Sequence, residues 1–95
     1  MGKAFVYMLA SRRDGAIYVG VSSDIVKRIW EHKENLIDSH TKKYDIKRLV
    51  YYEEHISIEN AILREKQMKK WYRQWKVQLI EGINPDWNDL YQELL

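Results

Sequence analysis

The stretch from Ala4 to Gly20 constrains this chain more than any other. Ala4–Ala10 is a continuous apolar run of strand length. Ser11-Arg12-Arg13-Asp14-Gly15 interrupts it, and Ala16–Gly20 resumes the apolar pattern. Asp-Gly between two apolar runs is a hairpin signal, because both residues tolerate positive φ. With Asp14 and Gly15 as the two turn residues, Ser11 faces Tyr18 and Leu9 faces Gly20. Side chains alternate along a strand, so Tyr7, Leu9 and Ser11 share a sheet face with Tyr18 and Gly20. The two tyrosines then point the same way. A three-residue loop without a bulge would break that inference.

Ser22-Ser23-Asp24 follows and offers helix caps. A helix is expected from about Asp24 to about Leu36, with Ile25, Ile29, His32 and Leu36 as its inner stripe and Arg28 on the flank. Residues 38–47 are polar and without period, and read as a loop. Residues 48–54 are rich in β-formers and read as a third strand. Ser57 caps a second helix expected from about Ile58 to Trp75, with Ile58, Ala61, Ile62, Met68 and Tyr72 as its apolar stripe. That helix is expected to bend or restart near Trp75 and continue through Leu79 and Ile80 to a stop at Gly82. Pro85 opens a last short helix over residues 86–94. The order strand, strand, helix, strand, helix, helix gives an α+β domain with a small three-stranded antiparallel sheet flanked by helices. Ninety-five residues without repeats or linkers make one domain, 1–95.

Charge is unevenly placed. Sixteen basic residues against 14 acidic ones leave only +2 overall. Yet residues 59–78 hold six basic and two acidic residues, while residues 77–95 hold four acidic and no basic ones. A cationic segment of this kind suits an anionic partner or a solvated helix face. With no cysteine, a disulfide framework, a thiolate nucleophile and a zinc–cysteine site are excluded. A cytoplasmic setting is expected. Seven apolar residues at Ala4–Ala10 are too few for a signal peptide or a membrane span, and Gly2 lacks the later Ser or Thr of a myristoylation signal.

Five residues break the structural pattern. Glu65 falls at the angular centre of an apolar helix stripe, where a carboxylate is costly unless it is paired or holds a cation. Its readings are a salt bridge to another element, with Arg28 a candidate, or a metal ligand or general acid/base. A single carboxylate suits Mg²⁺, which retains waters and takes few protein oxygens. Tyr7 and Tyr18 each read as core aromatics with a polar tip. The pair on one face, followed by a strand Gly20, also marks a close approach by a ligand or another backbone. Arg28 near a helix N-terminus opposes the macrodipole, and forked recognition of a phosphate is a reason to place it there. His32 on the inner helix face is a core histidine or a participant on Arg28's side. Trp71, Trp75 and Trp87 read as core packing, with base stacking the other use.

Phe5-Val6-Tyr7, followed after ten residues by Tyr18-Val19-Gly20, resembles the paired GIY and YIG motifs of the GIY-YIG endonuclease superfamily. Arg28 stands ten residues after Tyr18, as in the N-terminal incision domain of the bacterial repair excinuclease. Ala61-Ile62-Leu63-Arg64-Glu65 is similar to the helix carrying that family's metal-binding glutamate. Glu31-His32-Lys33, Thr41–Tyr44 and Asn84–Trp87 are similar to stretches of the short stand-alone bacterial members. The resemblance implies metal-dependent hydrolysis of DNA phosphodiesters, on repair or branched structures. Tyr18, or else Tyr7, would serve as base, Arg28 would hold the phosphate, Glu65 would hold one Mg²⁺ or Mn²⁺, and His32 would assist. DNA would lie on Arg28, Lys42, Lys43, Lys66, Lys69, Lys70 and Arg73. Phe5 replaces the motif glycine, and Val21 stands where some members place a lysine. An asparagine that some members carry after the glutamate helix has no clear counterpart here. Ninety-five residues leave no room for a separate DNA-binding domain, so affinity would rest on the basic patch and be salt-sensitive. Two alternatives stand beside the nuclease: a catalytically weak nucleic-acid-binding module of the same fold, and an adaptor acting through its acidic tail.

Overall fold

The computed structural model describes residues 3–37 and 39–95, and of Ser39 the backbone alone. Gly2 and position 38, at the start of the expected loop, lie outside the described residues. Eight elements follow one another: β1 (Ala4–Ala10), β2 (Ile17–Ser22), α1 (Ile25–Lys33), α2 (Ser39–Lys43), β3 (Arg48–His55), α3 (Ile58–Lys69), α4 (Arg73–Ile83) and α5 (Tyr91–Leu94). The three strands form one antiparallel sheet in the order β2-β1-β3. The fold class is α+β, as the chain's pattern leads one to expect.

β1 is the central strand, and helices cover both faces of the sheet. That is why its apolar run is continuous rather than alternating. Ala4, Val6, Met8 and Ala10 pack with Val19, Ala61, Met68, Ile80 and Trp87 on the side of α3 and α4. Tyr7 and Leu9 pack with Ile25, Ile29, Ile46 and Leu49 on the side of α1, with Leu90 and Leu94 against that cluster. Both interiors are closed by side chains that are essentially fully buried.

The hairpin register differs from the expected one. Leu9 faces Tyr18 and Tyr7 faces Gly20. The turn spans Arg12–Gly15, closed by Gly15 N–H to Arg12 O at 2.9 Å, with Asp14 at φ 59°. Ser11 and Ala16 lie outside the ladder but still pair, Ser11 N–H to Ala16 O at 3.1 Å. The longer turn shifts each partner by two residues, which preserves the face, so Tyr7 and Tyr18 do share one side.

α1 begins where expected, with the Asp24 side chain accepting from Lys27 N–H. It stops at Lys33 rather than near Leu36. Asn35 adopts φ 59°, with Asn35 N–H on His32 O and Leu36 N–H on Glu31 O, a Schellman stop that leaves Leu36 60% exposed. The expected loop after it holds the short helix α2. Asp45 at φ 56° and Ile46 N–H on Thr41 O end it in the same way and turn Ile46 fully into the core.

The expected helix over residues 58–75 is two helices. α3 ends at Lys69, and α4 starts at Arg73 after an extended Tyr72. Met68 and Ile80 both enter the core, yet on one continuous helix they would point about 120° apart. The break resets that phase. It also leaves Tyr72 70% and Trp75 45% exposed, outside the stripes expected for them, and Ile62 is likewise half out at 37%. The last helix is shorter than expected. Residues 84–89 form a turn locked by Asn84, whose Nδ2 donates to Val50 O and Asn88 O. Trp87, at φ 56°, is fully buried and donates from Nε1 to Glu81. Asp89 and Leu90 then bond the backbone of Leu49, fastening the tail to β3.

Candidate active site at the β2 edge

Tyr7 lies at the centre of the sheet, 1% exposed. Its hydroxyl is 3.0 Å from His32 Nε2 on α1. The His32 Nδ1 is 3.2 Å from Thr41 Oγ1 on α2. Three elements therefore meet in one buried chain of polar atoms. With Nδ1 protonated toward Thr41, Nε2 accepts from the Tyr7 hydroxyl; the other tautomer reverses both bonds. His32 is thus neither an idle core residue nor a surface base. Tyr18 stands against both rings, 6.5 Å from Tyr7 and 5.5 Å from His32 between centroids, and is partly exposed.

Gly20 makes this packing possible. A Cβ built there would lie 2.4 Å from both Cζ and the hydroxyl oxygen of Tyr7. The ring of the first motif crosses the space that any side chain in the second would fill. The space at Gly20 is taken by this ring.

Glu65 comes from the other layer. α3 packs across β1 and β2 and reaches β3. Glu65 lies on the β2 side of it, and Arg64 reaches Glu53 on β3. The Glu65 side chain is 12% exposed, and Oε2 pairs with Lys69 Nζ one turn later at 2.7 Å. Lys69 Nζ also lies 6.0 Å from the centroid of the Tyr18 ring. The partner of Glu65 is therefore a lysine of its own helix, and the suggested bridge to Arg28 does not form. Arg28 instead holds Glu31 at 3.3 Å, with 43% of its side chain exposed. It borders a shallow cavity of about 180 Å³ shared with Ser22, Asp24 and Lys27. Arg28 and His32, one turn apart on α1, present guanidinium and imidazole from the same side.

Among the described residues, the donor set suits a hard cation better than a soft one. Among the described residues, no three His, Cys, Asp or Glu side chains cluster as a metal cage. A lone, largely buried carboxylate whose Oε1 is not used by Lys69 matches Mg²⁺ or Mn²⁺, which draw their remaining ligands from water and phosphate. It does not match zinc.

The remaining cations are spread over the surface. Lys66 and Lys70 are exposed on α3 and at its end, and Lys42 and Lys43 on α2, the helix that also supplies Thr41. Arg73 donates to Asp14 O at 2.9 Å and so ties α4 to the hairpin. The chain's motifs point to Tyr7, Tyr18, Arg28, His32 and Glu65. They give no role to Thr41 and only a general one to Lys69. They are also silent on a second carboxylate, Glu53 on β3. It accepts from Tyr51, His55 and, twice, from Arg64. Burial pushes the Glu53 carboxyl up, but the bonds from Arg64, Tyr51 and His55 outweigh it and hold the group below the usual carboxylate range. The same burial, with Glu53 alongside, raises the Tyr51 phenol.

The family model for the GIY-YIG catalytic domain matches residues 3–78. The chain belongs to the GIY-YIG family. Among relatives, it is 35% identical over 80 residues to a UPF0213 protein of Staphylococcus saprophyticus, covering 84% of this chain and 96% of that one. It is 32% identical to a UPF0213 protein of Staphylococcus epidermidis, covering 85% and 98%. A solution NMR structure of a UPF0213 protein from Bacillus halodurans superposes with a TM-score of 0.56 at 28% identity, covering 92% of each chain. The two tripeptides that resemble the family's motifs lie on adjacent strands, Phe5-Val6-Tyr7 on β1 and Tyr18-Val19-Gly20 on β2. As a member of a nuclease-type family, the chain has nucleic acid as its implied substrate. Among the described residues, no helix is long and apolar enough to cross a membrane.

Proposed function

We propose that this GIY-YIG chain is a metal-dependent DNA endonuclease that hydrolyses phosphodiester bonds, on repair or branched structures, in the cytoplasm. The observation that carries this reading is Glu65. Its largely buried carboxylate has Lys69 as its ion-pair partner, and that same ammonium lies over Tyr18. A carboxylate for a cation and a phenol for a proton are thereby neighbours.

Tyr18 is the tyrosine that faces substrate, because Tyr7 is buried and bonded to His32. As phenolate it takes the proton of the attacking water and becomes the neutral phenol, with the Lys69 ammonium beside that ring. Tyr7, His32 and Thr41 fix the floor on which Tyr18 rests. Arg28 leaves its exposed pair with Glu31, which costs little, and forks onto the scissile phosphate. Glu65 would hold Mg²⁺ or Mn²⁺, which when bound supplies charge stabilisation at the leaving oxygen. Lys69, released from the carboxylate, remains beside the phosphate and stands in for the cation missing at Val21. Lys42, Lys43, Lys66, Lys70 and Arg73 add attraction for the backbone.

A second reading is favoured by one observation: Arg28 and Glu65 are each neutralised by a neighbour on their own helix. A site so self-satisfied suits a binding module with little catalysis. Cleavage of single-stranded, duplex and branched DNA with Mg²⁺ or Mn²⁺ separates the two. Wild type should cleave at least one substrate, with Glu65→Ala and Tyr18→Phe slower by about 10²-fold or more. A wild type no faster than both variants on every substrate ends the nuclease reading, and binding with a steep salt dependence then favours the module.

A further inference from the structure

The break between α3 and α4 builds an aromatic surface that the site above does not use. Trp75 meets Trp71 edge-to-face at 6.3 Å and 77°, and Tyr72 at 5.1 Å and 79°. Trp71 is braced by the Arg64 guanidinium at 5.0 Å, whereas Tyr72 and Trp75 are 70% and 45% exposed. Trp71, Trp75, Gln78 and Leu79 line an open cavity of about 520 Å³. It offers aromatic walls and one side-chain amide able both to donate and to accept.

The chain segment that builds it carries charge of one sign. Residues 66–80 contain Lys66, Lys69, Lys70, Arg73 and Lys76 and no acidic residue. Lys69 and Arg73 have acidic partners, while Lys66, Lys70 and Lys76 form no ion pair among the described residues. Burial, with Arg73 close by, holds the half-buried Lys76 below the usual lysine range, as expected of a cation lacking an anion. The basic residues are continuous with the catalytic edge, because Lys69 touches Glu65 and Arg73 anchors on the hairpin.

Faces for stacking, an amide for a base edge and unpaired ammonium groups for phosphate match a single occupant, an unpaired nucleotide. We infer that Trp75, Tyr72 and the cavity beside them form a base-stacking site that holds one unpaired base of the bound strand, with Lys70 and Lys76 on its phosphates. The inference rests on the nucleic-acid reading above but not on catalysis.

The test is binding in EDTA, where no metal-dependent cleavage occurs, read by polarisation of a labelled oligothymidylate and of a blunt hairpin duplex. Trp75→Ala and Tyr72→Ala should weaken oligothymidylate binding, Trp75→Ala by about tenfold, within the roughly 5- to 150-fold range of one lost base stack. Duplex binding should change by less than about twofold, and the salt slope should stay the same, because no phosphate contact is removed. Tyr72 is mostly exposed, so its variant reads the surface even if Trp75→Ala lowers the melting temperature. Oligothymidylate binding unchanged in both variants overturns the site, as does equal weakening on both ligands. A wild-type dimer dissolved by Trp75→Ala also overturns it, by assigning the surface to a second copy of the chain. Stacking-dependent binding without any cleavage by wild type keeps the site and removes the nuclease; cleavage with binding indifferent to Trp75 and Tyr72 does the reverse.

Discussion

Two carboxylates meet around α3, and they have opposite fates. Glu53, reaching up from β3, is 17% exposed in its side chain; Glu65, on the helix itself, is 12% exposed. Burial therefore does not distinguish them. Their partners do. Glu53 accepts from a guanidinium fork, a phenol and an imidazole, and its lone pairs are used. Among the described residues, Glu65 has a single flexible ammonium on one oxygen. A saturated carboxylate fastens a helix to a sheet. An under-coordinated one at the same depth retains the capacity to take a cation.

The sharpest way to break that contrast is to neutralise each in turn. Glu65→Gln should lower cleavage by about 10²- to 10³-fold while costing little stability. Cleavage assays with matched thermal melts check this, and a variant that cleaves like wild type would dissolve the distinction. Glu53→Gln should do the opposite. Leaving Arg64 without its carboxylate should cost about 2–3 kcal/mol, less than the 3–5 of a fully buried pair because this one is partly solvated. For a chain of this size that lowers the melting temperature by roughly 8–24 °C.

Acid provides a gentler probe of the same pair. The folded Glu53 carboxyl lies below its ordinary range. Its contribution to stability is therefore fully present above the unfolded carboxylate value and fades as pH falls through the lower, folded one. Chemical denaturation across the acid range should show that limb in wild type, and Glu53→Gln should flatten it. The smallest effect is expected at Lys69. Lys69→Met should cost about 0.5 kcal/mol without metal, from one lost ion pair along the helix whose lysine is half exposed. Added Mg²⁺ should then raise the melting temperature of Lys69→Met more than that of wild type, since the ammonium no longer competes for Glu65. Equal shifts in both would detach the metal from this carboxylate.

The contrast also marks what can be read from the chain. Glu65 is visible because it interrupts an apolar stripe, and Tyr7, Tyr18, Arg28 and His32 because each is an odd choice for its place. Glu53 is not visible. It lies in a strand where a polar residue is ordinary, and its partners come from two positions along β3 and one on α3. The strands follow from apolar runs, but the hairpin register does not, since Asp14 in the left-handed region lengthens the turn. α2 has only five residues and no period, so nothing local announces it. The break at Lys70–Tyr72 answers a demand from the sheet that both Met68 and Ile80 face inward. The Tyr7–His32 bond joins two conspicuous residues whose meeting depends on how α1 docks.

The contact between Gly20 and Tyr7 has a consequence for variation. The two motif halves are not independent letters. A methyl at position 20 can be received only if the ring at position 7 withdraws, and withdrawal releases His32 and, through it, Thr41. A change at either site is therefore felt at the other, and the two tripeptides act as one packed unit.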